Sequence, residues 1–172
     1  MRRDLMAAMT IPPAEAGDIV VRFGGSPADW WPGPTRRNAK AWQVEVRLGR
    51  LRRPVIATIG DCWVDGLTTW RSLSWTPVRM LDGRLQPDPR LPGFTGSLGL
   101  RRPDDRPAVL LLQGVYDPPG GRLGSALDDL LLHTVAARTA QQLLGDIREH
   151  LQSGDQETQP PPVAADEHIL RS

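Results

Sequence analysis

The last third of the chain carries one long apolar periodicity, which constrains the fold more than any other feature. The repeated positions are Leu127, Leu131, Val135, Thr139, Leu143, Ile147 and Leu151, with Leu130, Ala136, Ala140 and Leu144 beside them. This four-residue spacing predicts an amphipathic helix of roughly thirty residues, about 40 Å long. A four-residue step overshoots one helical turn by about 40°, so the apolar stripe winds around the helix. Such a stripe favours a helix laid across a curved sheet over a flat bundle contact.

The segment before this helix has the composition of a chain reversal. Residues 118–121 are two prolines and two glycines that follow an apolar run. Proline fixes φ and removes a backbone donor, whereas glycine permits positive φ. Ser125 is the predicted N-cap, and Asp128 and Asp129 follow in the first turn. The helix dipole favours negative charge at that place.

Further upstream, the apolar period changes from that of a helix to that of a strand. Trp42, Val44, Val46 and Leu48 alternate with polar residues, which predicts a half-buried strand. Four consecutive apolar residues at 109–112 predict a last strand that is buried on both faces. The other predicted elements are a strand over 4–11, helices over 14–23 and 26–31, strands over 55–59, 68–75, 94–100 and 108–116, turns over 49–53 and at Asp65-Gly66, and an irregular loop over 78–93 that is expected to rim a site.

The end of the chain differs in composition from the rest. Past residue 152, Gln, Asp, Glu and Pro dominate, including three consecutive prolines at 160–162. Such a segment has too little apolar surface to offset the entropy of ordering. The sequence therefore predicts a domain over 1–152 followed by a disordered tail over 153–172.

Charge and cysteine content limit the classes of function. The chain has 172 residues and a formal net charge of +1, so we expect no binding of nucleic acid or of an anionic membrane on electrostatic grounds. The single Cys62 has no second cysteine with which to form a disulfide within the chain. No signal-peptide pattern and no apolar run of about 18 residues is present. We therefore expect a cytoplasmic protein with no membrane span.

Several of these segments together resemble one family. They are GVYDPPGGRLG at 114–124, Leu127-Asp128, LHTVA at 132–136, Asp29-Trp30-Trp31-Pro32, and Leu73-Ser74-Trp75. Over roughly residues 3–152 the chain resembles bacterial SRPBCC proteins of the START-like superfamily. That superfamily includes polyketide cyclases and aromatases, lipid-transfer domains and pollen-allergen-like carriers. One departure is Ser74, since relatives tend to have Arg before the tryptophan of that strand.

The resemblance implies an α+β helix-grip fold. In that fold a curved antiparallel sheet of six to seven strands wraps around a long C-terminal helix, and two short helices follow the first strand. The implied cavity lies between sheet and helix and takes small hydrophobic molecules. The superfamily hosts unrelated activities on one scaffold, so the resemblance by itself leaves the activity open.

Six tryptophans, against two phenylalanines and one tyrosine, are the most unusual feature of the composition. Indole rings can line a flat apolar pocket and orient a ligand through their N–H groups; the alternative is that they fill an ordinary core. Trp70 and Trp75 are five residues apart on one predicted strand, so they point to opposite faces. The predicted ligand-binding residues are Trp42, Val44, Trp75, Leu98, Gln113, Tyr116, Leu127, Leu131 and His133.

Evidence for catalysis in the sequence is slight. His133 is the best acid–base candidate, because imidazole titrates near neutral pH, but its mid-helix position beside alanines at helical spacing favours a packing role. The histidines and Cys62 have no metal-ligand spacing, so no metal is expected. The glycines at 120–124 lack the Lys-Ser/Thr ending of a phosphate loop, so no cofactor is expected.

Three hypotheses follow from the sequence. The first is binding of a small hydrophobic ligand, either a lipid or a polyketide-like molecule, without chemistry. The second is a cyclase or aromatase that folds a flexible substrate mainly by positioning it, with His133, Gln113 or Tyr116 as polar groups. The third is a structural role in which side chains fill the interior and apolar surface supports a homodimer. The volume and the polar lining of the cavity distinguish these hypotheses.

Overall fold

Eight strands and two α-helices form the part of the chain that the structure describes. A computed structural model describes residues 2–12, 16–32, 35–36, 41–48, 51–89, 91–103, 106–117 and 126–153. In chain order the elements are β1 (Arg3–Ile11), α1 (Ala16–Gly24), a 3-10 turn (Pro27–Asp29), β2 (Thr35–Arg36), β3 (Ala41–Leu48), β4 (Leu51–Asp65), β5 (Thr68–Leu81), β6 (Arg84–Pro87), β7 (Gly93–Arg101), β8 (Ala108–Asp117) and α2 (Ala126–Ser153).

The strands form one curved antiparallel sheet in the order β1-β8-β7-β5-β4-β3-β2, and β6 extends β5. Helix α2 crosses the concave face, where it packs against β1, β3 and β8. The helix-grip α+β fold predicted from the resemblance is therefore confirmed by the chain's own geometry.

Alternation along the strands separates the concave face from the outward face. In β1, Leu5, Ala7 and Ile11 are buried and the residues between them are exposed or half-buried. In β8, Leu110 and Leu112 are fully buried while their outward neighbours are exposed or half-buried. The prediction that β8 is buried on both faces is thus wrong for its outward face, which no layer of the described chain covers.

Helix α2 buries the predicted stripe in its second half. The buried residues there are Ala136, Thr139, Ala140, Leu143, Leu144, Ile147 and Leu151. They cover the inward side chains of the sheet. At the far end of α2, the Leu151 carbonyl accepts a hydrogen bond from Arg22 Nη1 at 2.8 Å, which joins α2 to α1.

Two short helical elements follow β1, where helices are predicted over 14–23 and 26–31. Helix α1 buries Ile19 and Phe23 on one face. Ser26 caps the following 3-10 turn, because its hydroxyl accepts a hydrogen bond from the Ala28 amide at 3.3 Å and Pro27 takes the first helical position. This turn places Trp30 and Trp31 in the core.

The irregular loop predicted over 78–93 is wrong for most of its length. Strand β5 continues to Leu81 and turns at Asp82-Gly83 into β6, which pairs with it. Both turn residues have positive φ, 50° and 73°, as a two-residue hairpin turn of type I′ requires. The turn predicted over 49–53 is also too long, since β4 begins at Leu51.

A β-bulge in β4 accommodates a buried arginine. The register against β5 shifts between Ile59 and Cys62. Arg71, only 4% exposed, donates from Nη1 to the Gly60 carbonyl inside this bulge at 3.1 Å. Because bulges disrupt the ladder and leave carbonyls unpaired, the guanidinium satisfies a group that the sheet does not.

The same guanidinium caps the C-terminal end of α1. Arg71 Nε donates to the Phe23 carbonyl at 2.9 Å, and Nη2 donates to the Gly24 carbonyl at 2.8 Å and to the Gly25 carbonyl. Its centre lies 5.8 Å from the Trp30 ring. A cation at the negative end of a helix dipole and over an aromatic face is favourable on both counts.

Two further predictions from the sequence concern the C-terminal tail and membrane spans. The tail predicted over 153–172 lies outside the described residues from 154 onward, so its disorder stays a prediction. Among the helices that the structure describes, none has the length and apolar character needed to cross a membrane.

Candidate ligand pocket between the sheet and the C-terminal helix

A pocket lies between the concave face of the sheet and α2. Residues of six strands or connections and of the helix meet there, and nearly all of them are apolar. The lining residues are Leu5, Val55, Trp75, Pro77, Leu91, Pro92, Gly93, Tyr116, Ala136 and Thr139. The position is the one that the resemblance implies for a helix-grip cavity.

One wall of the pocket is built on a stacked aromatic pair. The rings of Trp75 and Phe94, partners on β5 and β7, lie 4.3 Å apart at 17°. Gly96 and Gly114 pair beside them, and a Cβ on either would come within 2.6 Å of the other's Cα and within 2.8 Å of Phe94 Cζ. The absence of side chains at both glycines therefore lets the Phe94 ring lie flat on the sheet and hold Trp75 in place.

Two hydroxyl groups supply the polar character of the pocket. Thr139 on α2 is 5% exposed and Tyr116 on β8 is 3% exposed. No carboxylate, imidazole or amine belongs to the lining residues within the described chain. Such a lining binds and orients an apolar molecule but holds no group that exchanges protons near neutral pH.

The pocket is nearly closed. The volume open to the centre of a water-sized sphere is about 20 Å3, which is room for roughly one water molecule. A larger ligand therefore needs side chains or the segment at 91–93 to move. That segment connects β6 to β7 and forms the outer rim of the pocket.

Of the predicted ligand-binding residues, the structure brings two into the pocket, Trp75 and Tyr116. Trp42 and Leu98 are buried in the core but do not line it. Gln113 is a correction, because it lies exposed on the outward face between the inward Leu112 and Gly114. The remaining four side chains, those of Val44, Leu127, Leu131 and His133, lie outside what the structure describes.

Sequence reasoning missed the other lining residues for two reasons. Thr139 and Ala136 lie on the predicted helix, but small or hydroxylated residues there carry no signal of a pocket. Pro77 lies on β5, and Leu91 and Pro92 lie on the connection before β7. Only the folded sheet brings them together at the pocket. Residues 91–93, the end of the segment that was expected to rim a site, are among the lining residues of the pocket.

The described residues contain no group of three or more His, Cys, Asp or Glu side chains placed to hold a metal ion.

The buried indole N–H groups of Trp30 and Trp31 have no hydrogen-bond partner within the described chain. Neither residue lines the pocket. The chemistry of the site therefore rests on its apolar walls and its two hydroxyls.

No protein-family model matches the sequence, and no curated protein matches it. Among solved structures, a conserved protein from Geobacillus kaustophilus is 9% identical, covering 88% of this chain and 95% of its own, with a TM-score of 0.49. Ara h 8.0201 is 13% identical, with coverage of 88% and 98% and a TM-score of 0.46. The ZhuI aromatase/cyclase from Streptomyces sp. R1128 is 13% identical, with coverage of 88% and 94% and a TM-score of 0.39.

All three structures have SRPBCC-type folds, the superfamily that the sequence resembles. None of the three TM-scores reaches one half, so the assignment of a helix-grip fold rests on the strand order and helix of the chain itself. No activity is transferred from these structures to this chain.

Proposed function

We propose that the protein binds a small hydrophobic molecule, a lipid or a polyketide-like compound, in the pocket between the sheet and α2. The observation that carries the proposal is the lining: apolar side chains from both layers enclose the pocket, and two buried residues with hydroxyl groups, Tyr116 and Thr139, line the same space. Such a site favours an apolar body with one polar end.

The ligand enters where the 91–93 segment meets α2. Leu91, Pro92 and Gly93 form the rim there, opposite Ala136 and Thr139. Because the closed pocket holds about 20 Å3, binding includes the cost of displacing the rim. Burial of about 300 Å2 of apolar ligand surface contributes roughly 7 kcal/mol at about 25 cal/mol per Å2. Association entropy and opening offset much of this, so we expect a micromolar Kd.

The second candidate is the structural role, and the pocket volume favours it. An interior with room for about one water molecule is close to filled, as expected if side chains alone occupy it. A cyclase or aromatase has less support, because Gln113 faces outward and only hydroxyls face the pocket among the described residues.

The proposal is tested by titration with two fluorescent or coloured probes, cis-parinaric acid as a fatty acid and an anthraquinone as an aromatic polyketide mimic. We expect saturable quenching of tryptophan fluorescence. Trp75→Ala should weaken binding at least tenfold, whereas Trp63→Ala should change it less than twofold, because Trp63 lies on the outward face. Native mass spectrometry of the freshly purified protein shows whether a ligand remains bound to it after purification.

Circular dichroism controls for folding in both variants. Unchanged fluorescence with both probes, together with a ligand-free mass, contradicts ligand binding and leaves the structural role. Equal weakening by Trp75→Ala and Trp63→Ala shows that the probes bind elsewhere than in the pocket.

A further inference from the structure

An uncovered apolar row crosses the outward face of the sheet. Pairing places one outward residue of each of five adjacent strands in line. From β4 to β1 they are Trp63, Trp70, Gly99, Leu111 and Ala8. We call these five residues the outward row. None of them carries a charge or a polar side-chain group other than the two indole N–H groups.

The tryptophans of the outward row form a platform. The Trp70 ring lies over Gly99, where a Cβ would come within 2.5 Å of Trp70 Cζ3. Glycine therefore allows this indole to lie flat on the sheet, as Phe94 does on the concave side. Trp63, its cross-strand partner, is 44% exposed. The Trp70 indole therefore lies flat on the sheet, and the neighbouring Trp63 indole is exposed beside it. Together they present one apolar aromatic surface.

Such a surface fits a polyproline II segment. Proline-rich segments bind aromatic-lined grooves because their conformation is preformed and little entropy is lost. Four strand spacings of about 4.8 Å make the outward row about 19 Å long. A polyproline II segment of about six residues has the same length, at about 3.1 Å per residue.

The chain itself contains three consecutive prolines at 160–162, which as polyproline II would span about 9 Å, the Trp63–Trp70 end of the outward row. This segment follows the end of α2 by a short linker, and the contacts below place the end of α2 near the end of β4 that carries Cys62 and Trp63. Arg22 Nη1 donates to Leu151 O at 2.8 Å. Arg71 Nη2 and Cys62 Sγ both lie near the Gly24 carbonyl, at 2.8 and 3.7 Å, and Trp63 is the next residue after Cys62.

The linker sets how far the proline segment can extend from the end of α2. The seven residues from Ser153 to the first proline span up to about 24 Å when extended. A linker of this length gives the tail an effective concentration in the millimolar range, so even a weak contact is well populated.

We propose that the outward row binds the chain's own proline segment, with Pro160, Pro161 and Pro162 on the Trp63–Trp70 platform. The tail then covers apolar surface that would otherwise face water. This site lies on the opposite face of the sheet from the ligand pocket and is independent of the function proposed there.

The test follows the six indole N–H cross-peaks of the full-length protein in a 1H–15N spectrum, assigned by single Trp→Phe variants. Replacement of Pro160, Pro161 and Pro162 by Ala should shift the cross-peaks of Trp63 and Trp70 and leave that of Trp75 unchanged. The substitutions lie outside the sheet and helix, so the fold is retained. Pro107→Ala, an exposed proline between β7 and β8, is the matched control.

Rescue in trans completes the experiment. A synthetic peptide of residues 156–165, added at millimolar concentration to the triple variant, should return the two cross-peaks toward their original positions. The same peptide with Ala for the three prolines should not. Unchanged Trp63 and Trp70 cross-peaks in the triple variant overturn the proposal. A shift that depends on tenfold dilution and not on the prolines also overturns it, because the occupant is then a second copy of the chain.

Discussion

Arg71 donates a hydrogen bond from Nη2 to the carbonyl of Gly24 at 2.8 Å, and so joins the end of α1 to the bulged strand pair. Its Nη1 bonds the Gly60 carbonyl within the bulge at 3.1 Å. The first helix and the sheet are thus held together by one side chain that is 4% exposed. Removal of this side chain takes the donor away from the Gly60 carbonyl on one side and from the carbonyls at 23–25 on the other.

Arg71→Met should destabilise the protein by about 3 kcal/mol, because charge-assisted hydrogen bonds to buried groups are lost together. Arg71→Lys should recover only part of this, since an ammonium lacks the planar fork that reaches several carbonyls. Urea unfolding gives the free energies. Arg84→Met, at an exposed position on β6, is the control, with an expected change within about 0.5 kcal/mol. A loss for Arg71→Met as small as the control's would contradict the capping role.

Much of the fold was accessible from sequence because its signals are periodic. The four-residue spacing located α2, and alternation located β1 and β3. The β5–β6 hairpin was missed because Asp82-Gly83, a strong turn signal, lies in a stretch rich in proline and glycine. The role of Arg71 has no local signal, since its partners at 23–25 and 60 are distant in sequence.

The pocket was less accessible than the fold. The spacing of Trp70 and Trp75 predicted that they point to opposite faces, as they do, but the sequence did not indicate which face lines the pocket. Gln113 was predicted to bind ligand but lies on the outward face, because four consecutive apolar residues before it hide the register of β8. That register is set by pairing with β1 and β7, which the sequence does not display.

The paired glycines of β7 and β8 give a second prediction. Gly114→Ala should cost about 2–3 kcal/mol, because the new Cβ would lie 2.6 Å from the Gly96 Cα and 2.8 Å from Phe94 Cζ. Near-ultraviolet circular dichroism should also change as the Trp75–Phe94 stack is disturbed. Gly24→Ala is the matched control, since a Cβ there meets nothing within 4 Å. Equal stability of the two variants would show that the sheet tolerates a side chain at 114.

The helix stripe gives a third prediction. Leu144→Ala should lower the free energy of unfolding by about 2–5 kcal/mol. This side chain of α2 is 0% exposed, and its removal leaves a cavity between α2 and the sheet. Leu67→Ala, at a side chain 55% exposed in the β4–β5 turn, should cost less than about 1 kcal/mol. Both values come from urea unfolding. Similar losses at the two positions would mean that α2 does not cover the sheet as described.

The hairpin turn gives a fourth prediction. Gly83 has φ of 73° and no heavy atom within 4 Å of a Cβ placed there, so Gly83→Ala tests backbone strain alone. We expect a loss of about 1 kcal/mol. Asp82→Asn should be neutral or slightly stabilising, because Asn-Gly also favours this turn. Thermal unfolding of both variants measures the effect, and an Ala variant as stable as the parent would contradict the positive φ.

The last prediction separates ligand binding from a merely filled interior. Ala136 lines the pocket from α2 and is 8% exposed, so Ala136→Leu places a larger side chain where the ligand would lie. If the pocket binds ligand, the affinity for cis-parinaric acid should fall at least tenfold, while overpacking costs about 1–3 kcal/mol of stability. Ala137→Leu, on the neighbouring half-buried position of α2, adds the same side chain outside the pocket and should leave affinity within twofold. An unchanged affinity in a folded Ala136→Leu variant would remove this pocket as the binding site. Loss of affinity in Ala136→Leu alone would show that the space beneath α2 opens to admit a ligand.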